Sequence, residues 1–240
     1  MIGLGTIINV AAIVGGGLIG MAGGSLIKKN YQETLMASCA VVVMFIGLAG
    51  ALAKTLIVTS SGIETQRTMM CIFCFAIGSI LGELIDLDGK MEAFGEWLKI
   101  KTGNAGDNSF VNAFVTASLT VCIGAMAIVG AIEDGISGDY TILAAKAILD
   151  LIIIVVMTAS MGKGCMFSAI PVGIFQGFFT IFARFLQPVM TTAAMNNLSL
   201  TGNIMIFCVG VNLFWGKKIR VANTLPTLIF AVIWAFMPWA

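Results

Sequence analysis

Histidine is absent from the 240-residue sequence. Without it, neither a Ser-His nucleophilic pair nor an H-E-x-x-H zinc site can be built. Charge is nearly as scarce: Asp, Glu, Lys and Arg fill 10% of positions, against about a quarter in a soluble domain. A chain this poor in charge cannot cover a water-facing surface. Its formal net charge of +1 and lack of a basic domain exclude a nucleic-acid partner, because nothing would neutralise a run of phosphates. Proline occurs only four times. The six cysteines, Cys39, Cys71, Cys74, Cys122, Cys165 and Cys208, lie in or beside apolar blocks. They read as small hydrophobes, not as a disulfide framework. Cys71-Ile72-Phe73-Cys74 has a C-x-x-C spacing but no second pair and no histidine, so no metal or other cofactor is expected. The amino-terminal Met1-Ile2-Gly3-Leu4-Gly5 lacks the basic region of a secretory signal and reads as the start of a first span.

What the sequence has in quantity is apolar residues, 59% of the chain, with a mean hydropathy of +1.02. They come in blocks near the ~20 residues that a helix needs to cross a hydrocarbon core of ~30 Å. Eight blocks qualify: 2–25, 35–53, 68–86, 110–132, 141–161, 165–185, 199–215 and 222–239. The last is weakened by Asn223 and Pro226. The expected fold is all-α, a polytopic transmembrane bundle of about eight spans forming one integral-membrane domain over 1–240. Its main partner is the lipid bilayer. Between the third and fourth spans, Met91, Phe94, Trp97 and Leu98 recur at helical spacing. Charged residues fill the other faces, Asp88 can cap the start and Gly103 the end. This predicts an interfacial helix over about 88–103, anchored by Trp97.

Lys and Arg distribute unevenly between alternate loops. Lys28, Lys29, Lys90, Lys99, Lys101, Lys163, Lys217, Lys218 and Arg220 fall after odd-numbered spans; only Lys54, Arg67 and Arg184 fall after even-numbered ones. The excess marks the odd loops as cytoplasmic and puts both termini outside a bacterial inner membrane. Leu35 and Gly47 also stand at the same separation as Leu198 and Gly210. Matching spans one to three with six to eight would make an inverted repeat, as in many transporters.

A few residues break the apolar pattern. Gly16, Gly20 and Gly24 share one face of the first span and allow close helix approach, inside the protomer or in a homo-oligomer. Lys146 and Asp150 lie four apart on the fifth span, near mid-bilayer. An ionisable group there costs ~2.5–3.5 kcal/mol even on the lenient insertion scale. The pair should therefore face a wet cavity or a partner; sealed in dry packing, it would be a structural tie. In the sixth span Pro171 frees a backbone carbonyl. With Gly164, Ser168 and Gln176 it suggests a broken or kinked helix at a cavity or gate. Asn112 adds a polar group to the fourth span. Glu133 and Asp134 close that span, either as a turn before Gly135 or as a cation-attracting outer vestibule.

With Gly5-Thr6-Ile7-Ile8-Asn9, Cys122-Ile123-Gly124-Ala125-Met126, Gly130-Ala131-Ile132-Glu133-Asp134-Gly135, Lys146 with Asp150, Ser168-Ala169-Ile170-Pro171-Val172, Gln176-Gly177 and Asn223-Thr224-Leu225-Pro226, the chain resembles the YqgA-like bacterial integral-membrane family, domain of unknown function 554. The likeness covers almost the whole length. It departs at Ala125, where the family usually has Pro, and at Asn112-Ala113, where it often has Glu-Gly. The resemblance implies an inner-membrane location and supplies no established activity.

Three function classes follow. The first is a transporter or channel for a small polar solute or ion. Asp150, Lys146, Gln176, Ser168 and Asn112 would line its mid-membrane cavity between the fourth, fifth and sixth spans. The second is an intramembrane enzyme, which is not expected: an aspartyl protease needs two acids that meet, and only Asp150 is deep, with Glu83 and Asp86 near a helix end. The third is a non-catalytic membrane subunit whose polar groups only fix packing.

Overall fold

Away from water, every backbone N–H and C=O must be satisfied within the chain, and helices do this locally. In the computed structural model, which describes residues 1–24, 29–60, 62–122 and 125–237, helices accordingly dominate. They are α1 (Leu4–Gly24), α2 (Lys29–Thr55), α3 (Thr68–Ile85), α4 (Leu87–Lys101), α5 (Phe110–Cys122), α6 (Ala125–Ser137), α7 (Thr141–Met161), α8 (Ala169–Ile181), α9 (Ala183–Leu186), α10 (Thr192–Trp215) and α11 (Pro226–Trp234). Tight 3-10 turns, Lys163–Ser168 and Val221–Thr224, lead into α8 and α11. The all-α expectation holds apart from one exposed hairpin. β1 (Leu56–Thr59) pairs antiparallel with β2 (Gly62–Thr65) in a stretch read as a plain loop.

Among the described residues, five stretches are long and apolar enough to cross a membrane: Leu4–Gly23, Thr68–Ile85, Thr141–Met161, Lys163–Ile181 and Thr192–Trp215. A sixth crossing arises if α5 and α6, bent by 62° at their junction, count as one. The apolar stretches at Ala40–Thr55 and Val221–Trp234 are shorter. The protein is thus a polytopic helical bundle.

Glycines set the register between helices. A Cβ added at Gly16 would stand 2.7 Å from the Leu151 carbonyl oxygen, and one at Gly20 would stand 2.6 Å from that of Val155. α1 and α7 therefore run parallel, backbone against backbone. The Gly16 and Gly20 face is consumed inside the protomer and is not open to a second copy; the surroundings of Gly24 lie outside the described residues. α8 runs antiparallel to α1, with Gly173 under Val10 and the Thr6 and Thr180 hydroxyls 3.4 Å apart.

α2 and α10 also pack along their length, antiparallel. Gly47 lies on the backbone of Asn203 and Phe207, and Gly210 lies on the backbone of Ala40 and Met44. Exchanging 40 with 203, 44 with 207 and 47 with 210 converts one set of contacts into the other. The same offset relates Leu35 to Leu198. Two equivalent helices crossing antiparallel at equivalent glycines have the local geometry of an inverted repeat.

α4 forms nearly where its spacing placed it. Met91, Phe94 and Leu98 pack against Phe114 and neighbours, while Trp97 and Ile100 are exposed. Its cap is Asp86, whose carboxylate accepts from the Gly89 N–H. Asp88, the expected cap, is instead buried and ion-paired, because the turn places it under the loop that follows α10.

Candidate functional site

At mid-bundle the fourth span is interrupted. α5 ends at Cys122 and α6 begins at Ala125, with residues 123 and 124 outside the described set. The last carbonyls of α5 have no partner within that helix, and the terminus carries the negative end of its dipole. The Lys146 ammonium answers both. Its Nζ donates to the Val121 carbonyl at 2.8 Å and pairs with Asp150 Oδ2 at 2.5 Å. Both side chains are less than a tenth exposed.

Two amides belong to the same layer. Asn9 of α1, fully buried, lies beside the Asp150 carboxylate but short of hydrogen-bond geometry. Gln176 of α8 lies between Gly173 and Thr180 on the face that meets α1, so the antiparallel register puts it level with Asn9. Neither polar atom of either amide has a hydrogen-bond partner. An unpartnered buried amide costs ~1–3 kcal/mol. The Ser168 and Ser118 hydroxyls are likewise buried without partners.

Lys146 and Asp150 face inward, as expected, but into packing. Neither they, nor Gln176, nor Ser168 lines the vestibule described next, the apolar cavity beyond it or three shallower hollows. Of the five polar residues expected to share one cavity, only Asn112 lines any of these.

Asn112 occupies the open part. A vestibule of about 510 Å³ enters beside α4 and the loop after α10, then runs along α5 past Asn108, Asn112 and Thr116 to Leu119. Leu119 also lines a smaller apolar cavity of about 160 Å³, with Ser118, Cys122 and Pro171. Pro171 sits in the first turn of α8, where N–H groups have no intrahelical partner, and the same span runs as a 3-10 turn over Lys163–Ser168 just before it. Gly164 marks a close crossing, since a Cβ there would stand 2.2 Å from the Phe110 carbonyl oxygen. Both positions serve packing in this conformation.

The vestibule's rim is a charge network that sequence spacing did not reveal, since its members are more than a hundred residues apart. Lys217 pairs with Asp88 and Glu92. Arg220 pairs with Glu83 and Asp86, and approaches Asp88 at 3.6 Å. Asn223 donates to Glu83 and accepts from the Asp88 N–H at 2.7 Å. Burial works against the Lys217 charge, but its two carboxylate partners prevail and hold its pKa above the ordinary lysine value. Of these groups Asp88, Glu92 and Lys217 line the vestibule itself, two acids against one base.

At the opposite end, Asp134 is not part of a vestibule. It is fully buried and accepts from the N–H groups of Gly3 and Gly5, capping α1, while Glu133 is exposed. An anionic side chain at a helix N-terminus satisfies orphan donors and the dipole together.

Long apolar helices and a charged pair sealed between them define a polytopic helical membrane protein. The chain belongs to the family described as "Protein of unknown function (DUF554)", whose model matches residues 4–236. It is 27% identical over 233 residues to the "Uncharacterized membrane protein YdfK" of Bacillus subtilis (strain 168), covering 97% of this chain and 96% of that protein. To the "Uncharacterized protein YqgA" of Escherichia coli (strain K12) it is 24% identical over 233 residues, covering 95% and 94%. No solved structure matches.

Proposed function

We propose that the protein moves a small polar or cationic solute across the bacterial cytoplasmic membrane, acting as a transporter without catalytic chemistry. The observation that carries this reading is the vestibule, a cleft that sets Asn108, Asn112 and Thr116 among apolar walls and descends along α5 to within one turn of its end at Cys122. Irregular backbone at membrane depth is tolerated where it is buried in protein or lines a water-filled path. The matched glycine contacts of α2 and α10 support it, because equivalent antiparallel units can rock about a fixed centre to open alternately. The acidic rim favours cations or neutral solutes over anions. Asn112 and Thr116 would make the first contacts, and Lys146–Asp150 would be reached only after rearrangement. The rim and α4 then face the cytoplasm and both termini lie outside, as the Lys and Arg asymmetry requires.

A second reading, a non-catalytic subunit or scaffold, is favoured by the sealed pair, since an ion pair that satisfies itself needs no solute. One experiment separates the two. The purified protein is screened by thermal shift against ions, amino acids and polyamines, and any responding solute is followed into proteoliposomes. The transport reading expects Asn112→Trp to plug the vestibule and abolish uptake at unchanged thermal stability, and Asp150→Asn to stop flux while still assembling. Absence of any solute response, with a stoichiometric partner co-purifying, would establish the scaffold instead.

A further inference from the structure

The two ligands of the Lys146 ammonium are a carboxylate oxygen and a main-chain carbonyl at the negative end of a half-helix. Those are the donors that a hard alkali cation takes, and half-helix C-termini are where transporters of several folds hold coupling ions. Beside Asp150 stands the amide of Asn9, and level with Asn9 on α8 is that of Gln176; both are nearly fully buried and without hydrogen-bond partners. An amide oxygen is a further neutral ligand for such an ion. One formal negative charge among neutral oxygens suits a monovalent cation and not a divalent one.

We propose that Asp150, the Val121 carbonyl, Asn9 and Gln176 form a monovalent-cation site at mid-membrane, and that Lys146 is its tethered occupant. The ammonium holds the place that a sodium ion would take, so the protein keeps a cation at the break of α5 and α6 without drawing one from solution. A single-atom ion fits where no cavity reaches, whereas an organic solute would not. The site does not depend on transport, because it is read by binding alone.

The test is Lys146→Met, which keeps the bulk of the side chain and removes its charge. Thermal stability of the detergent-purified variant is compared in sodium chloride and in choline chloride at fixed ionic strength. Choline is too large for the site. The variant should gain a sodium-dependent rise in midpoint that the wild-type protein lacks, and Lys146→Met/Asp150→Asn should lose it. Adding Gln176→Leu to Lys146→Met should weaken the apparent sodium affinity about tenfold, as for one lost bond to a charged group. A folded Lys146→Met protein indifferent to sodium overturns the proposal, since its carboxylate would then have taken a proton instead. An equal sodium response in wild type overturns it too. Should the variant be recoverable only when prepared in sodium, the proposal stands; recovery in neither salt rejects it.

Discussion

Among the described residues, the ion pairs at the rim and at mid-bundle have surroundings that make them different objects. At the rim, Lys217 and Arg220 meet four carboxylates beside water, and most of these side chains are about half exposed. At mid-bundle, Lys146 meets one carboxylate and one carbonyl with almost no exposure. The rim is redundant: Asp88 loses Lys217 and still has Arg220 and Asn223 nearby. The central pair has no second cation among the described residues. Water also screens the rim, whereas the central charges were desolvated on folding and depend on each other. The same residue types thus give a tolerant latch in one place and a brittle joint in the other.

The largest effect that would sharpen this contrast comes from splitting the central pair. Asp150→Leu leaves an ammonium buried with only a carbonyl, at a cost of about 3–5 kcal/mol. Asp150→Asn keeps an acceptor and should cost less. Lys146→Met/Asp150→Leu removes both charges and should recover most of the loss, because apolar side chains of similar volume replace buried pairs nearly neutrally. Chemical denaturation in detergent would show the order. A double variant no better than Asp150→Leu would mean that the pair is not the unit.

Next in size are the glycine crossings. Gly47→Val and Gly210→Val each drive a branched side chain into the facing backbone, and overpacking of this kind costs about 1–3 kcal/mol. Because the two contacts exchange under the repeat, the two losses should be similar. Strongly unequal losses would argue that the equivalence of α2 and α10 stops at sequence. Of comparable size but opposite sign is Gln176→Leu. Removing an amide that has no partner should stabilise the protein by about 1–3 kcal/mol, while solute uptake in proteoliposomes falls. Stability gained together with function lost is the mark of a site kept for use.

These regions were unequally legible in the sequence. Lys146 and Asp150 stood out because charge inside an apolar block is costly, and four-residue spacing put them on one face. Leu35 and Gly47 matched with Leu198 and Gly210 hinted at the equivalence of α2 and α10, but not that the two helices pack on each other. Hidden were features that depend on distant segments meeting. Asp134 looked like a loop acid, yet it caps α1 across 129 residues. Glu83 and Asp86 looked like the end of a span, and only the loop after α10 makes them a rim. Gln176 reads as a cavity-lining amide, and nothing in the order of residues puts Asn9 at its level. The C-x-x-C spacing carried no signal, and Cys71 and Cys74 form no disulfide.

The smallest expected effect tests the tolerant side of the contrast. Lys217→Met should cost at most about 1 kcal/mol, since its side chain is 42% exposed and exposed pairs contribute little. The folded-state pKa of Lys217 is raised, so its contribution is complete below the unfolded lysine value of about 10.4 and is lost as pH rises through the folded value. The stability difference between wild type and Lys217→Met should therefore be flat through neutral pH and vanish only above the ordinary lysine range. Added salt should shrink it, whereas salt should leave the Asp150→Leu loss nearly unchanged because the central pair lies beyond the reach of counterions. A rim variant as damaging and as salt-insensitive as Asp150→Leu would mean that the vestibule mouth is sealed against water, and a sealed mouth cannot admit a solute.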